Sequence, residues 1–305
     1  MSSSPFRLID VLVCLVVVIA LGVTAAGARR GAQENSVIIA CAGRLGQIGQ
    51  SLVLYQGLYD GRFPRTRYDP AAPLTAYTAP AAADPFSDTG PQPNDVTASL
   101  FLLARVMELP PENFICPSAL RHGLAEIDSF DRVTVKNRSN FRSRLGANYS
   151  LANMYPDAAA TAAGYSLDHF RDRLPATFVI AGDTNPGGES AAAATTHMSR
   201  MNLRMANSPN HERNGQNVMF ADGSVRFFNS AFIGDGYDNV YTGRPDNVRQ
   251  PKAATDTVLL PLWTEGPQGV PRSTLFRRWV LGVSAVVTFG LMFWVVRHGM
   301  AKRAG

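Results

Sequence analysis

The sequence contains little cysteine and none of the short motifs that mark common catalytic folds. Only three of its 305 residues are cysteine, which excludes a disulfide-rich scaffold, because such scaffolds need several bridges in a short chain. No GxSxG, HExxH or P-loop motif is present, so nothing indicates a nucleophile-elbow hydrolase, a zinc protease or a P-loop nucleotide hydrolase. No catalytic residue is predicted, and the protein is not expected to be an enzyme.

Metal-binding patterns are also sparse. A zinc site usually takes three or four ligands at a recognisable spacing. The histidines of the central chain instead stand singly, at His122, His169, His197 and His211. No metal and no other cofactor is therefore predicted. One loop leaves an alternative open, because Asp235, Asp238 and Asn239 place oxygen ligands suited to calcium beside two glycines; an ordinary turn is the simpler interpretation.

Proline is absent between Pro5 and Pro64. This gap permits one long helix, because proline inside a helix removes a hydrogen bond and clashes with the preceding turn. Residues 11–28 carry no charge and consist mainly of valine, leucine, isoleucine, alanine and glycine. About eighteen such residues approach the ~20 that a helix needs to cross a bilayer. The first half of the proline-free segment is therefore predicted to lie in a membrane.

The second half of this segment, residues 29–59, is predicted to emerge into water and pack on a domain. Its apolar residues thin into a stripe that recurs every three or four positions, the spacing of an amphipathic helix. The stripe consists of Ile38, Cys41 or Ala42, Leu45, Ile48, Leu52, Tyr55 and Tyr59. Gly43, Gly46 and Gly49 weaken the helix intrinsically, so packing is expected to hold it in place.

A second uncharged apolar run covers residues 279–296 and predicts a second membrane helix. Arginine or lysine flanks both runs, which is typical of anchoring at lipid headgroups, so the net charge of +5 does not indicate a nucleic-acid partner. Short basic tails favour both termini in the cytoplasm. We therefore predict two spans in the inner (cytoplasmic) membrane, with the lipid bilayer as a partner and the central domain facing the periplasm.

The predicted fold class is α+β, with the long N-terminal helix packed on a small antiparallel sheet and a further transmembrane helix near the C-terminus. Residues 217–220 and 225–228 predict a hairpin, because Asp222 and Gly223 supply the strongest short turn signal between two β-rich runs. Glycine accepts a positive φ and aspartate tolerates one. These two residues are therefore expected to have a structural role in the turn.

Other elements follow from local composition. Strands are expected within residues 146–155 and over residues 177–181. A helix is expected over residues 95–108, capped by Asn94 or Asp95. Residues 126–145 are expected to be exposed because they are rich in charge, and residues 157–164 are expected to form an alanine-rich loop.

The predicted domain organisation has five parts. They are an N-terminal membrane helix (1–28), an extracytoplasmic domain (29–243), a proline-rich tether (244–276), a second transmembrane helix (277–297) and a basic tail (298–305).

The cysteines and His211 leave alternatives open. Cys14 lies inside the first apolar run, so Cys41 and Cys116 are the only pair outside the bilayer. In an oxidising compartment they can form a disulfide, and two buried free thiols are the equal alternative. His211 either bonds the hairpin backbone or ligates a metal together with another group.

The N-terminus resembles those of type IV pilins and type II secretion pseudopilins at Phe6, Leu8, Ile9 and Asp10. In that family a peptidase cuts just before the Phe, and the acidic residue pairs with the new N-terminus of a neighbouring subunit. The resemblance implies these processing and assembly roles for Phe6 and Asp10, although Pro5 and Asp10 stand where the family usually has Gly and Glu. An ordinary signal anchor and a cleaved secretory signal are the alternatives.

A second resemblance involves the start of the domain and its hairpin. The segments CAGRLGQIGQSLVLYQGLYDGRFP, ICPS and NSPNHERNGQNVMFADGSVRFF resemble the pseudopilin-related H-X9-DG (DUF1559) group of planctomycete-type bacteria. His211, Asp222 and Gly223 match the group's motif, with ten residues rather than nine between the His and the Asp. The resemblance implies structural cysteines and a structural or assembly role with pseudopilin-like or secretion-system subunits as partners. The alternative is a signal-anchored envelope protein with a ligand-, metal- or partner-binding domain.

Overall fold

The computed structural model describes residues 8–80, 82–187, 200–243 and 250–260. They form an α+β fold with a long N-terminal helix and a small antiparallel sheet of five strands. The chain divides into two units, Met1–Thr264 and Glu265–Gly305, and every described residue belongs to the first. Phe6, His197, the predicted second span and the basic tail lie outside the described residues.

Helix α1 spans Leu8–Leu58, which confirms the predicted long N-terminal helix, with Asp10 in its first turn. From Val11 to Arg29 its side chains are almost all exposed, and its most apolar window has no buried residue. A contiguous apolar surface of this size is typical of contact with a membrane or another protein. By length and apolarity the helix is compatible with membrane anchoring.

The second half of α1 buries one face. Cys41, Leu45, Ile48 and Leu52 are fully buried, and Tyr55 is nearly so, which confirms the predicted stripe from Cys41 to Tyr55, while Ile38 is only half-buried. Tyr59 is exposed, because the helix ends one residue before it. The buried face packs against strands β3 (Gln216–Phe220) and β4 (Val225–Phe228) and against helix α2 (Val96–Met107).

The sheet has the strand order β4-β3-β2-β1-β5. Its remaining strands are β1 (Tyr149–Ala152), β2 (Val179–Asp183) and β5 (Leu259–Leu260). All neighbouring pairs are antiparallel, with Leu151 opposite Ala181 and Val218 opposite Arg226. The predicted hairpin is confirmed as β3–β4, with Gly223 at φ 86° in its turn.

Short helices connect these elements. Asp95 caps α2 by accepting a hydrogen bond from the Ala98 amide at 2.8 Å, as predicted. The other α-helices are α3 (Pro117–Arg121), α4 (Ala158–Ala162), α5 (Phe170–Arg173) and α6 (Arg200–Met205). Single 3-10 turns lie at Pro111–Phe114, Thr134–Asn137 and Arg144–Gly146, and an irregular turn lies at Asn210–Arg213.

Two local expectations were wrong. The alanine-rich segment is the helix α4 rather than a loop, because alanine has the highest helix propensity and Asp157 caps the helix at the Ala160 amide. The tether expected to begin at residue 244 contains β5, which pairs with Leu151 and Ala152 of β1. Because Leu259 and its neighbours are buried, the domain extends at least to Leu260.

The charged segment 126–145 is also not wholly exposed as expected. Val135 and Phe141 are buried in the core, and the Asp128 carboxylate is buried beside Arg138. Both guanidinium nitrogens of Arg138 donate to Asp128, at 3.0 and 2.7 Å. Burial raises the pKa of Asp128, but these bonds and one from the Arg142 amide outweigh it and hold the pKa below its ordinary value. The pairing of opposite charges is what allows this segment to be buried.

Gly49 lies directly against the Met219 side chain of β3. A methyl group at this position would overlap the Met219 sulfur of β3. We expect Gly49→Ala to lower the free energy of unfolding by about 1–3 kcal/mol, the usual effect of overpacking a core, as measured by denaturant unfolding of the full chain in detergent.

Gly43 provides the matched control on the same helix. A methyl group there meets no atom within 4 Å, so Gly43→Ala is expected to be neutral or to stabilise the helix by up to about 1 kcal/mol. Equal losses in the two variants would contradict the packing assigned to Gly49.

Candidate functional site

His211 is presented to the core by an unusual turn of backbone. It lies in the turn Asn210–Arg213 before β3, where His211, Glu212 and Arg213 have φ values of 54°, 53° and 57°. Residues other than glycine rarely adopt this left-handed backbone conformation, and each one that does costs of order 1–3 kcal/mol. The segment is fixed by Arg213, whose Nη1 donates to the Met205 carbonyl at 2.7 Å. His211 itself is fully buried.

The His211 ring lies between two carboxylates. Its Nδ1 is 3.0 Å from Glu34 Oε1 on α1, and its Nε2 is 3.4 Å from Asp183 Oδ2 at the end of β2. Burial lowers the pKa of His211, but hydrogen bonds and charge interactions with Asp183 and Glu34 outweigh it, so the pKa is raised above its ordinary value. The arrangement favours an imidazolium paired with buried negative charge.

A disulfide lies against the same ring. Cys41 of α1 and Cys116, which precedes α3, are joined with their Cα atoms 5.1 Å apart, so of the two interpretations open from the sequence the structure has the bridge. Cys116 Sγ is 3.6 Å from His211 Nε2. One donor atom from each of Cys41, Cys116, Asp183 and His211 lies within 4.8 Å of the others, and all four residues are buried. We call these four residues the Cys–His–Asp cluster.

Asp183 is held by one amide from the neighbouring strand β3 and one from the turn before it. The Asn217 backbone N–H donates to Asp183 Oδ2 at 2.7 Å, and the Asn210 side-chain amide donates to Oδ1 at 3.2 Å. Within the ranges that the structure describes, the Oδ1 atoms of Asn210 and Asn217 are buried without a hydrogen bond. Buried polar atoms are usually paired, so the cluster carries spare acceptors.

Glu34 forms the rim of the cluster. Its side chain is 28% exposed, whereas those of His211 and Asp183 are fully buried. The second oxygen of Glu34 accepts from Arg121 of α3 at 3.1 Å. The pair of Glu34 and Arg121 therefore covers the cluster on its solvent side.

The residues of the predicted motif, His211 and Asp222, lie in different environments and have different roles. Asp222 is exposed and accepts from the Ser224 amide at 2.8 Å in the hairpin turn, whereas His211 is buried in the cluster. In the loop considered for calcium, Asp235 accepts from the Thr255 hydroxyl and Asn239 accepts from the Tyr241 amide. These two side chains stabilise the loop itself.

Sequence reasoning did not identify Glu34 or Asp183 as members of a site. Asp183 lies two residues beyond the strand predicted over residues 177–181, and Glu34 is the first acidic residue after the apolar run of α1. The available signal for Glu34 was its position four residues before Ile38, which places a charged residue at the start of the amphipathic stripe.

The chain matches none of the family models, curated proteins and solved structures with which it was compared.

Proposed function

We propose that the protein is a membrane-anchored, pseudopilin-like structural or assembly component of a cell envelope or secretion apparatus. The observation that carries the proposal is the continuity of α1. One helix of 51 residues leaves its apolar first half exposed and buries one face of its second half against the sheet. A domain fixed on such a helix moves together with its membrane anchor. This rigid connection suits a structural subunit of an assembly better than an enzyme.

The outer surface of α1 supports association with like subunits. Ile39, Leu54 and Leu58 lie on the water-exposed half of the helix and are 72%, 62% and 67% exposed. Apolar side chains of this size on one helix favour contact with another apolar surface. We propose pseudopilin-like or secretion-system subunits as the partners.

The membrane arrangement in this proposal has two spans, with the domain facing the periplasm and the protein retained in the inner membrane. The second apolar run, residues 279–296, adds a second helix that would have to leave the bilayer if the chain entered a filament. Each span gains free energy from burial of its apolar surface in lipid, so the obstacle to extraction roughly doubles.

Processing at the N-terminus tests the pilin-like character. Inner-membrane, outer-membrane and shed fractions from native cells would be probed for the protein, and its N-terminal peptide would be identified by mass spectrometry. The proposal predicts a chain that begins at methylated Phe6 and remains in the inner membrane. An intact Met1 would contradict pilin-type processing and favour a signal-anchored envelope protein, while recovery in shed filaments would contradict retention.

Cross-linking tests self-association through α1. In a Cys14→Ser background, Leu54→Cys is expected to give oxidised dimers in membranes, because Leu54 lies on the exposed apolar surface of the helix. Asp88→Cys is the control, since Asp88 has a 98% exposed side chain and is not part of α1. Equal dimer yields from both variants would indicate random collision and contradict the proposed contact.

A further inference from the structure

We infer that reduction of the Cys41–Cys116 disulfide converts the Cys–His–Asp cluster into a binding site for Zn²⁺. Its ligands would be the two cysteine thiolates, His211 Nε2 and an Asp183 carboxylate oxygen. The inference does not depend on the proposed structural role, because it rests on the interior of the domain rather than on the membrane helix or its outer surface.

The positions of the donor atoms support four-coordinate binding. Zn–S bonds of about 2.3 Å and Zn–N bonds of about 2.0 Å imply ligand atoms roughly 3.3–3.8 Å apart in a tetrahedron. His211 Nε2 is already 3.6 Å from Cys116 Sγ and 3.4 Å from Asp183 Oδ2. Cleavage of the S–S bond lets the sulfurs separate to the distance that the tetrahedron requires.

The ligands are held by four different parts of the fold. Cys41 lies on α1, Cys116 precedes α3, Asp183 ends β2, and His211 lies in the strained turn before β3. The left-handed conformation of His211 keeps the ring at the centre of the group. Strained backbone of this kind concentrates at functional sites.

Contacts around the ligands match those of zinc sites. Glu34 Oε1 is 3.0 Å from His211 Nδ1, which leaves Nε2 directed at the sulfurs, the carboxylate–histidine–metal arrangement that orients zinc ligands. The Asn217 amide fixes the Asp183 carboxylate. The Asn210 side-chain amide donates to the other oxygen of this carboxylate at 3.2 Å, so both oxygens of Asp183 are oriented by the surrounding fold.

The chemistry requires an external two-electron reductant, such as a dithiol. The dithiol is oxidised to its own disulfide, two electrons pass to the Cys41–Cys116 bond, and each sulfur takes one proton. Zn²⁺ then displaces both thiol protons and the Nε2 proton of the His211 imidazolium, because thiolates and a neutral imidazole are the ligand forms. Two thiolates, one carboxylate, a neutral imidazole and Zn²⁺ sum to a single negative charge. The disulfide has no thiolate to offer, so the bridge and the metal exclude each other.

Cobalt substitution tests the site in the full chain. A Cys14→Ser background leaves Cys41 and Cys116 as the only thiols. The chain, purified in detergent, would be titrated with Co²⁺ and then Zn²⁺ after reduction by a phosphine without oxygen, and in parallel while oxidised. We expect the reduced chain to bind one Co²⁺ with thiolate charge-transfer absorption that Zn²⁺ abolishes, and the oxidised chain to show no such band.

Variants separate this site from surface binding. Cys116→Ser is expected to weaken the charge-transfer band and Co²⁺ affinity at least tenfold, because one thiolate ligand is lost. His122→Ala is the matched control, since His122 is a half-exposed histidine beside Glu212 and outside the cluster. Its binding should equal that of the parent. Equal Co²⁺ binding by the parent and Cys116→Ser would overturn the inference.

Near-ultraviolet circular dichroism shows whether a missing Co²⁺ band comes from unfolding of the reduced chain or from a folded domain that does not bind the metal. If the reduced chain keeps its near-ultraviolet signal yet gives no thiolate band, the inference is wrong. If reduction removes that signal, Zn²⁺ is expected to restore it, because metal binding then supplies folding free energy; failure of Zn²⁺ to restore the signal would equally overturn the inference.

Discussion

Replacement of both Cys41 and Cys116 by alanine is expected to lower the free energy of unfolding by about 4 kcal/mol, since the bridge closes a long loop of the unfolded chain. The two cysteines are 75 residues apart in sequence, and the bridge joins α1 to the start of α3. Domains are stable by only about 5–15 kcal/mol, so this loss would leave the domain marginal. Denaturant unfolding of the full chain in zinc-free detergent buffer, followed by near-ultraviolet circular dichroism, measures the effect through the buried tyrosines.

The control for this experiment is Cys14→Ala. Cys14 is a free cysteine on the exposed first half of α1, so its replacement is expected to leave the unfolding midpoint unchanged. A double variant as stable as this control would show that the bridge does not constrain the unfolded chain.

The elements that could be predicted from the sequence are those whose pattern lies within a short stretch of the chain. The stripe containing Leu45, Ile48 and Leu52 has the helical period, and Asp222 with Gly223 specifies a tight turn. These signals need no knowledge of the rest of the chain, and the structure confirms both the helix and the hairpin. β5 lacked such a signal, because a two-residue strand has no period and its flanking prolines favoured a tether.

The cluster could not be predicted because its members come from distant parts of the chain. Glu34 and His211 are 177 residues apart in sequence, and they meet only because α1 packs across the sheet. Such a site has no characteristic spacing of ligand residues along the sequence. The burial of residues 126–145 was missed for a related reason, since the charge of Asp128 argued for exposure until its pairing with Arg138 was known.

In the disulfide-bonded protein, the Asp183→Asn variant tests whether Asp183 stabilises the fold through its negative charge or only through its packing and hydrogen bonds. The substitution keeps the size of the side chain and an oxygen that can accept from the Asn217 amide, but it removes one of the two negative charges beside His211. Breaking a buried ion pair by removing one partner typically costs about 3–5 kcal/mol. We expect a loss in this range at mildly acidic pH. Asp222→Asn, at an exposed turn position where asparagine is tolerated, should lose less than about 1 kcal/mol.

The pH dependence of this loss distinguishes an ion pair from a hydrogen bond. The pKa of His211 is raised in the folded protein, so its stabilising contribution is complete below the ordinary histidine value of about 6.5 and disappears as pH rises through the higher folded value. The difference between wild type and Asp183→Asn should therefore narrow as pH rises through that range, because a neutral ring no longer needs the carboxylate. Denaturant unfolding at a series of pH values measures the trend. A loss independent of pH would mean that Asp183 acts through the amides of Asn217 and Asn210 alone, and that the ring is already neutral in the folded protein.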